Sequence, residues 1–189
     1  THLIHLSTDF IFDGLQGPYR EEDQPNPLSV YGQSKLESEA LVQQASCPWT
    51  IIRTILVYGI LPDLSRSNIV LWAKGALEKG QEIRVVQDQW RMPTLAEDLA
   101  QACFSAAKKK ATGTFHVSGN ELMAITEIVE QVASFWKLDS SLIQPIDSAT
   151  LNQKAPRPIR TGFHLEKAIT QLDYKPKTFW EGLQLVDQQ

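Results

Sequence analysis

An α/β protein with a mostly parallel sheet flanked by helices, and a smaller C-terminal lobe appended to it, is the architecture that this 189-residue sequence predicts. Three observations carry that expectation. Residues 1–7 read as a buried strand, and residues 49–58 are nearly continuously apolar, as in a strand covered on both faces. Helical periodicity alternates with them, most clearly in residues 124–137, where Ile125, Ile128, Val129, Val132 and Trp136 share a face. Proline and glycine mark the changeovers, at Pro48, Gly59 and Gly80.

In order, the first run ends at the hydroxyl pair Ser7-Thr8, and residues 10–27 read as a loop rich in Gly, Pro and acid. Asn26-Pro27 is a helix start with Asn as N-cap and Pro at the first helical position, and the helix runs to about Ala45. The strand at 49–58 is followed by a helix over about 66–79, closed by Gly80, and a short strand from Ile83 to Val86. Pro93 to Glu97 reads as a capping box that opens a helix to about Lys109. A strand at Thr114–Val117 and the helix at 124–137 follow. After Ile143 the pattern weakens into a loop around Ala155–Arg160, and short helices near 165–172 and 178–186 close the chain.

Composition excludes several classes. A formal net charge of −4 without a basic stripe argues against a general nucleic-acid binder. Two cysteines, Cys47 and Cys103, are too few for a disulfide framework or a Cys-based metal site, which makes a reducing cytoplasm the expected location. No apolar run approaches the ~18 residues of a membrane span. The histidines lack ligand spacing, and no metal site is expected. The chain opens inside what reads as a strand and carries no Gly-rich phosphate-binding motif, so a preceding segment is expected to be absent from it.

The stretch with most chemical content is Tyr31-Gly32-Gln33-Ser34-Lys35, preceded by Ser7-Thr8-Asp9. A Tyr four residues before a Lys sets phenol and ammonium one turn apart on one helix face. A phenol is a poor acid at neutral pH, and a fixed cation nearby favours its ionised form. With a hydroxyl pair at a strand end beside it, the constellation suits proton transfer in a carbonyl/alcohol interconversion. The spacing alone equally describes an exposed i,i+4 pair. Arg91 could contact a phosphate or sit on the surface, with Arg157 and Arg160 in the same position. Glu21-Glu22-Asp23 reads as a solvated acidic loop, and Trp49, Trp72, Trp136 and Trp180 as core or interface aromatics.

Three blocks, Ser7 to Gly14, Pro18 to Asp23 and Pro27 to Glu37, together resemble the dTDP-4-dehydrorhamnose reductase family of extended short-chain dehydrogenases/reductases. The similarity continues through Arg53-Thr54 with Val57-Tyr58-Gly59, Asp88-Gln89, Pro93-Thr94, Asp98-Leu99-Ala100, Gly113 to His116, Ser118 to Glu121 and Arg157-Pro158. It implies a Rossmann-like parallel sheet, with residues 1–120 forming its C-terminal part interleaved with substrate-lobe segments, and 121–189 forming mainly the substrate lobe. It implies NADPH or NADH as cofactor and a nucleotide-linked 4-keto-6-deoxy sugar as substrate. Tyr31 would donate the proton, Lys35 would tune Tyr31 and hold the nicotinamide ribose, and Thr8 would bond the reacting oxygen with Ser7 nearby. A homodimer is compatible with it.

The sequence departs from the family at Phe10, where Tyr is usual, at Ile55-Leu56, where Ser-Trp is usual, and at Arg91-Met92, where Gly or Ser is usual. These changes fall on the expected substrate wall, which makes Phe10, Leu56 and Arg91 candidates for setting which sugar is accepted. Two other readings share the motifs. One is a non-catalytic, dinucleotide-binding regulatory subunit like the methionine adenosyltransferase beta subunit, and the other is a nucleotide-sugar epimerase.

Overall fold

The computed structural model describes residues 1–60, 67–151 and 155–189. In chain order its elements are β1 (Leu3–Thr8), α1 (Val30–Gln43), β2 (Trp49–Thr54), β3 (Val57–Tyr58), α2 (Ile69–Glu78), β4 (Ile83–Val86), β5 (Trp90–Arg91), β6 (Thr94–Leu95), α3 (Ala96–Lys109), β7 (Gly113–His116), β8 (Met123–Ala124), α4 (Ile125–Phe135), β9 (Ile143–Ile146), α5 (Glu166–Leu172) and α6 (Phe179–Asp187). β1, β2 and β7 make a three-stranded parallel sheet in that order, with Leu3 opposite Trp49 and Ile51 opposite Thr114. The pairs β3–β6 and β4–β9 are parallel, and β5–β8 is antiparallel. The expected α/β class with parallel sheets flanked by helices is what the chain adopts.

Two apolar clusters fill the molecule. Ile11, Phe12, Ile52, Ile55, Phe115 and Leu172 lie in the one built on the three-stranded sheet. Val70, Val85, Ile128, Val132 and Leu183 lie in the other, among α2, β4, α4 and α6. Leu56 packs against both. Among the described residues no helix is long and apolar enough to cross a membrane.

Several boundaries differ from the sequence expectation for physical reasons. α1 begins at Val30, because Ser29, in extended conformation, caps it by accepting the Gly32 N–H at 3.1 Å. Asn26 instead ties down the preceding loop, donating its N–H to the Ile11 carbonyl and its side-chain amide to Asp13. The apolar run 49–58 is two strands, interrupted at Leu56, whose φ of 43° lies in the left-handed region and cannot continue a ladder. Thr94 caps nothing: it sits in β6, its hydroxyl donating to the Ile55 carbonyl at 2.6 Å, and α3 starts without a side-chain cap. Ile143–Ile146, expected to lead into a loop, is a strand completed by β4 sixty residues earlier. The expected start of α2 at residue 66 lies outside the described residues; Asn68 caps the helix that is seen.

One buried polar group fastens α1 to the sheet. Arg53 of β2 reaches Glu39 of α1 through Nη2–Oε2 at 2.8 Å and Nε–Oε1 at 3.1 Å, with the two side chains 5% and 1% exposed. Arg53 Nη1 also donates to the Glu21 carbonyl at 3.1 Å and lies 3.3 Å from His116 Nε2. His116 stacks on Phe163 with ring centres 3.9 Å apart, and its backbone N–H donates to Glu21 Oε1. Burial, then the Arg53 charge, hold the His116 imidazole well below its usual titration range. Glu21 is thus only half-exposed and bonded, rather than part of a fully solvated acidic loop.

Candidate active site

The site lies at the carboxyl end of β1, where open parallel sheets commonly present ligand groups. The strand ends in Ser7-Thr8 and passes directly into a single 3-10 turn, Asp9–Ile11. Thr8 caps that turn, its Oγ1 accepting the Phe10 N–H at 3.2 Å, and its hydroxyl donates to Asp9 Oδ1 at 3.1 Å. Gly32, early in α1, lies so close to the Phe10 carbonyl that a Cβ there would overlap it. The absence of a side chain lets the helix start press on the turn, and Tyr31 meets Phe10 edge to face at 5.9 Å between ring centres.

Asp9 is buried and well supplied with donors. Besides Thr8 it accepts from the Thr161 hydroxyl, and Arg91 Nε lies 3.7 Å from its Oδ2. Burial pushes the Asp9 carboxyl above its ordinary range, against the opposing pull of Arg91 and the two hydroxyls. Arg91, 4% exposed, spends its other donors on carbonyls: Trp90 at 2.7 Å, Pro158 at 2.7 Å and Ile159 at 3.3 Å. Its guanidinium carbon stands 5.7 Å from the Phe10 ring centre. The loop carrying Pro158 to Thr161 is therefore stitched to the end of β1.

A cleft of about 760 Å³ opens here, bounded by residues from both apolar clusters. Of the residues singled out from sequence, Thr8, Phe10, Tyr31, Leu56 and Arg91 all line it. Tyr31 is 54% exposed, with its ring at the cleft. Ser7 and Lys35 stand behind this lining. Lys35 Nζ donates to the Leu6 carbonyl at 2.6 Å, and Ser7 Oγ is buried with no hydrogen-bond partner among the described residues. The constellation can hold an oxygen-bearing substrate beside a phenol and a hydroxyl, with a cation fixed one helix turn along.

Sequence reasoning passed over three contributors. Asp9 entered only as the third residue of Ser-Thr-Asp, yet its carboxylate accepts the hydrogen bond of the Thr8 hydroxyl. Gln89 lines the cleft and is 4% exposed, and Trp72, read as a core or interface aromatic, lines it too and is 42% exposed. The sequence signal for these three was position alone: Trp72 recurs one turn after the Asn68 cap, and Gln89 ends the turn after β4.

The chain matches the RmlD substrate binding domain family over residues 1–189. It is 36% identical over 161 residues to methionine adenosyltransferase 2 subunit beta from Bos taurus, covering 82% of this chain and 48% of that protein. It is 32% identical over 181 residues to the spore coat polysaccharide biosynthesis protein SpsK of Bacillus subtilis, covering 95% of this chain and 62% of the relative. Its structure is similar to that of the dTDP-4-dehydrorhamnose reductase of Bacillus anthracis in complex with NADP, with a TM-score of 0.88, 26% identity and coverage of 98% of this chain and 64% of the other. The chain thus spans about half the length of the methionine adenosyltransferase relative. Matched along its whole length, this chain belongs to the RmlD substrate-binding-domain family.

Proposed function

We propose that the protein containing this chain reduces the 4-keto group of a nucleotide-linked 6-deoxy sugar, with NADH or NADPH as cofactor and Tyr31 as proton donor. The observation that carries this reading is the convergence of Thr8 and Tyr31 on one cleft, with the Lys35 ammonium fixed at the strand end behind them. Residues 1–120 then act as the C-terminal part of the cofactor-binding fold with interleaved lobe segments, and 121–189 mainly as the substrate lobe.

The residues fit a nicotinamide cofactor. Ser7 Oγ is an orphaned polar atom beside the strand end, and Lys35 has three donors of which the Leu6 carbonyl takes one. Ser7, Tyr31 and Lys35 would hold the ribose end, and the bound cofactor supplies the hydride. Tyr31 gives its proton to the oxygen that becomes the C4 hydroxyl, and the phenolate left behind is stabilised by the nearby cation and reprotonated from solvent, which its exposure permits. Thr8 holds the same oxygen. Because its O–H donates to Asp9, Thr8 has a lone pair to offer the cleft; it accepts from the product alcohol, and its hydroxyl must rotate to donate to the ketone.

The test is NADPH oxidation by the full-length protein with dTDP-4-keto-6-deoxy-L-mannose, beside Tyr31→Phe. Turnover that the substitution reduces by about 10²–10⁴-fold is expected. Cofactor binding without turnover would shift the assignment to the second reading, a dinucleotide-binding regulatory subunit. That reading draws its support from the 36% identity to a methionine adenosyltransferase subunit, and co-purification with that synthetase is its own check.

A further inference from the structure

Most polar side chains around the cleft are committed inside the protein. Asp9 is bonded to two hydroxyls and faces Arg91, and Arg91 donates to three carbonyls. Asn68 donates to the Gly59 carbonyl at 2.7 Å and accepts the N–H groups of Val70 and Leu71. Gln89 differs from all three. It is 4% exposed, and its backbone carbonyl accepts the Ile125 N–H at 2.9 Å, pinning it at the start of α4. Its carboxamide nevertheless has no hydrogen-bond partner among the described residues. Gln89 lines the cleft, and its side-chain atoms are not among the sealed, unpartnered ones, which belong to His2, Ser7 and Glu97.

A carboxamide presents an N–H donor and a C=O acceptor side by side. Buried in the cleft wall with no partner among the described residues, it discriminates strongly, because a ligand lacking the matching pair leaves it unsatisfied. We propose that Gln89 is a specificity-determining residue of this cleft, reading an adjacent donor–acceptor pair on the bound nucleotide sugar. This rests on the nucleotide-sugar reading above and adds to it a residue remote from the proton-transfer groups. The matching pair is either two neighbouring hydroxyls of the sugar ring or the imide edge of a pyrimidine base.

The experiment is calorimetric titration of the NADPH-loaded full-length protein with dTDP-L-rhamnose and, separately, with dTDP, for wild type and Gln89→Met. Methionine keeps the length and removes both polar atoms. The expected result is roughly 10- to 100-fold weaker dTDP-L-rhamnose binding by the variant, the size of two lost hydrogen bonds. Its thermal midpoint should be unchanged or raised, and in turnover KM should rise while kcat holds. Unchanged dTDP affinity assigns the contact to the sugar, and a parallel loss assigns it to the base. Equal dTDP-L-rhamnose affinity in both proteins overturns the proposal, as does a loss that tracks a falling midpoint, which marks a structural role. A wild type that binds neither ligand overturns the nucleotide-sugar reading and this proposal with it. Gln89→Glu, which keeps the length but loses the donor, is the second variant and should weaken dTDP-L-rhamnose likewise.

Discussion

Replacing Glu39 by Ala should be among the most damaging single changes in this chain. α1 carries Tyr31 and Lys35, yet of its 14 residues only Gly32 and Glu39 are buried. The helix is therefore held to the sheet more by the Glu39–Arg53 pair than by an apolar face. Glu39→Ala strips Arg53 of all its carboxylate contacts, at 2.8, 3.1 and 3.3 Å, and leaves a buried cation with the Glu21 carbonyl and a neutral imidazole. Removing one partner of a buried pair costs about 3–5 kcal/mol, a large share of the ~5–15 kcal/mol that stabilises a typical domain. Urea unfolding followed by circular dichroism measures this directly. The double variant Glu39→Leu/Arg53→Met removes both charges and should recover most of the loss, since an apolar pair of similar volume often matches a buried ion pair. A Glu39→Ala protein within ~1 kcal/mol of wild type, or a double variant no better than the single, would refute the reasoning.

Two further perturbations test other parts of the structure. An unfolded histidine titrates near ~6.5 while buried His116 stays neutral well below that, so the unfolded chain binds the extra proton and stability falls as pH drops beneath ~6.5, by up to about 1.4 kcal/mol per pH unit. Above that pH the residue contributes no slope; His116→Asn should flatten the difference in unfolding free energy between pH 7.5 and 5.5, and a steeper slope in the variant would contradict the assignment. At Gly182 in α6 an added Cβ would overlap the hydroxyl of Tyr58, which is 2% exposed. Gly182→Ala should cost about 1–3 kcal/mol by overpacking, and adding Tyr58→Phe should restore part of it in the same unfolding assay.

Much of the fold was legible because its signals are local. The apolar runs at the start of the chain and after Pro48 became adjacent parallel strands, and Tyr31 and Lys35 fell in the first two turns of one helix as their spacing required. What escaped was decided by partners far away in sequence. Ile143–Ile146 becomes a strand through β4, and Thr94 joins a ladder with β3 instead of capping a helix. The break at Leu56 is a backbone conformation that a β-branched and aliphatic run does not announce. At the cleft, residue type pointed to Tyr31, Thr8 and Lys35. It could not show that Arg91 turns inward to carbonyls, nor that the Gln89 amide lacks a partner among the described residues, because both depend on loops that arrive from the C-terminal part of the chain or from α4.

The stitch between Asp9 and Thr161 spans 152 positions, and that between Arg91 and Pro158 spans 67. Contacts of such separation demand long loop closures and form late when the chain folds. The three-stranded sheet needs nothing beyond His116 for its ladders. A chain ending before Pro158 would keep the residues of every strand of that sheet but lose the loop that anchors Arg91 and shares Asp9, together with α5 and α6, whose Leu172 and Leu183 fill the two cores. The strands of that sheet can therefore report as formed while the cleft is incomplete, so assembly of the site is better followed by ligand binding than by strand content.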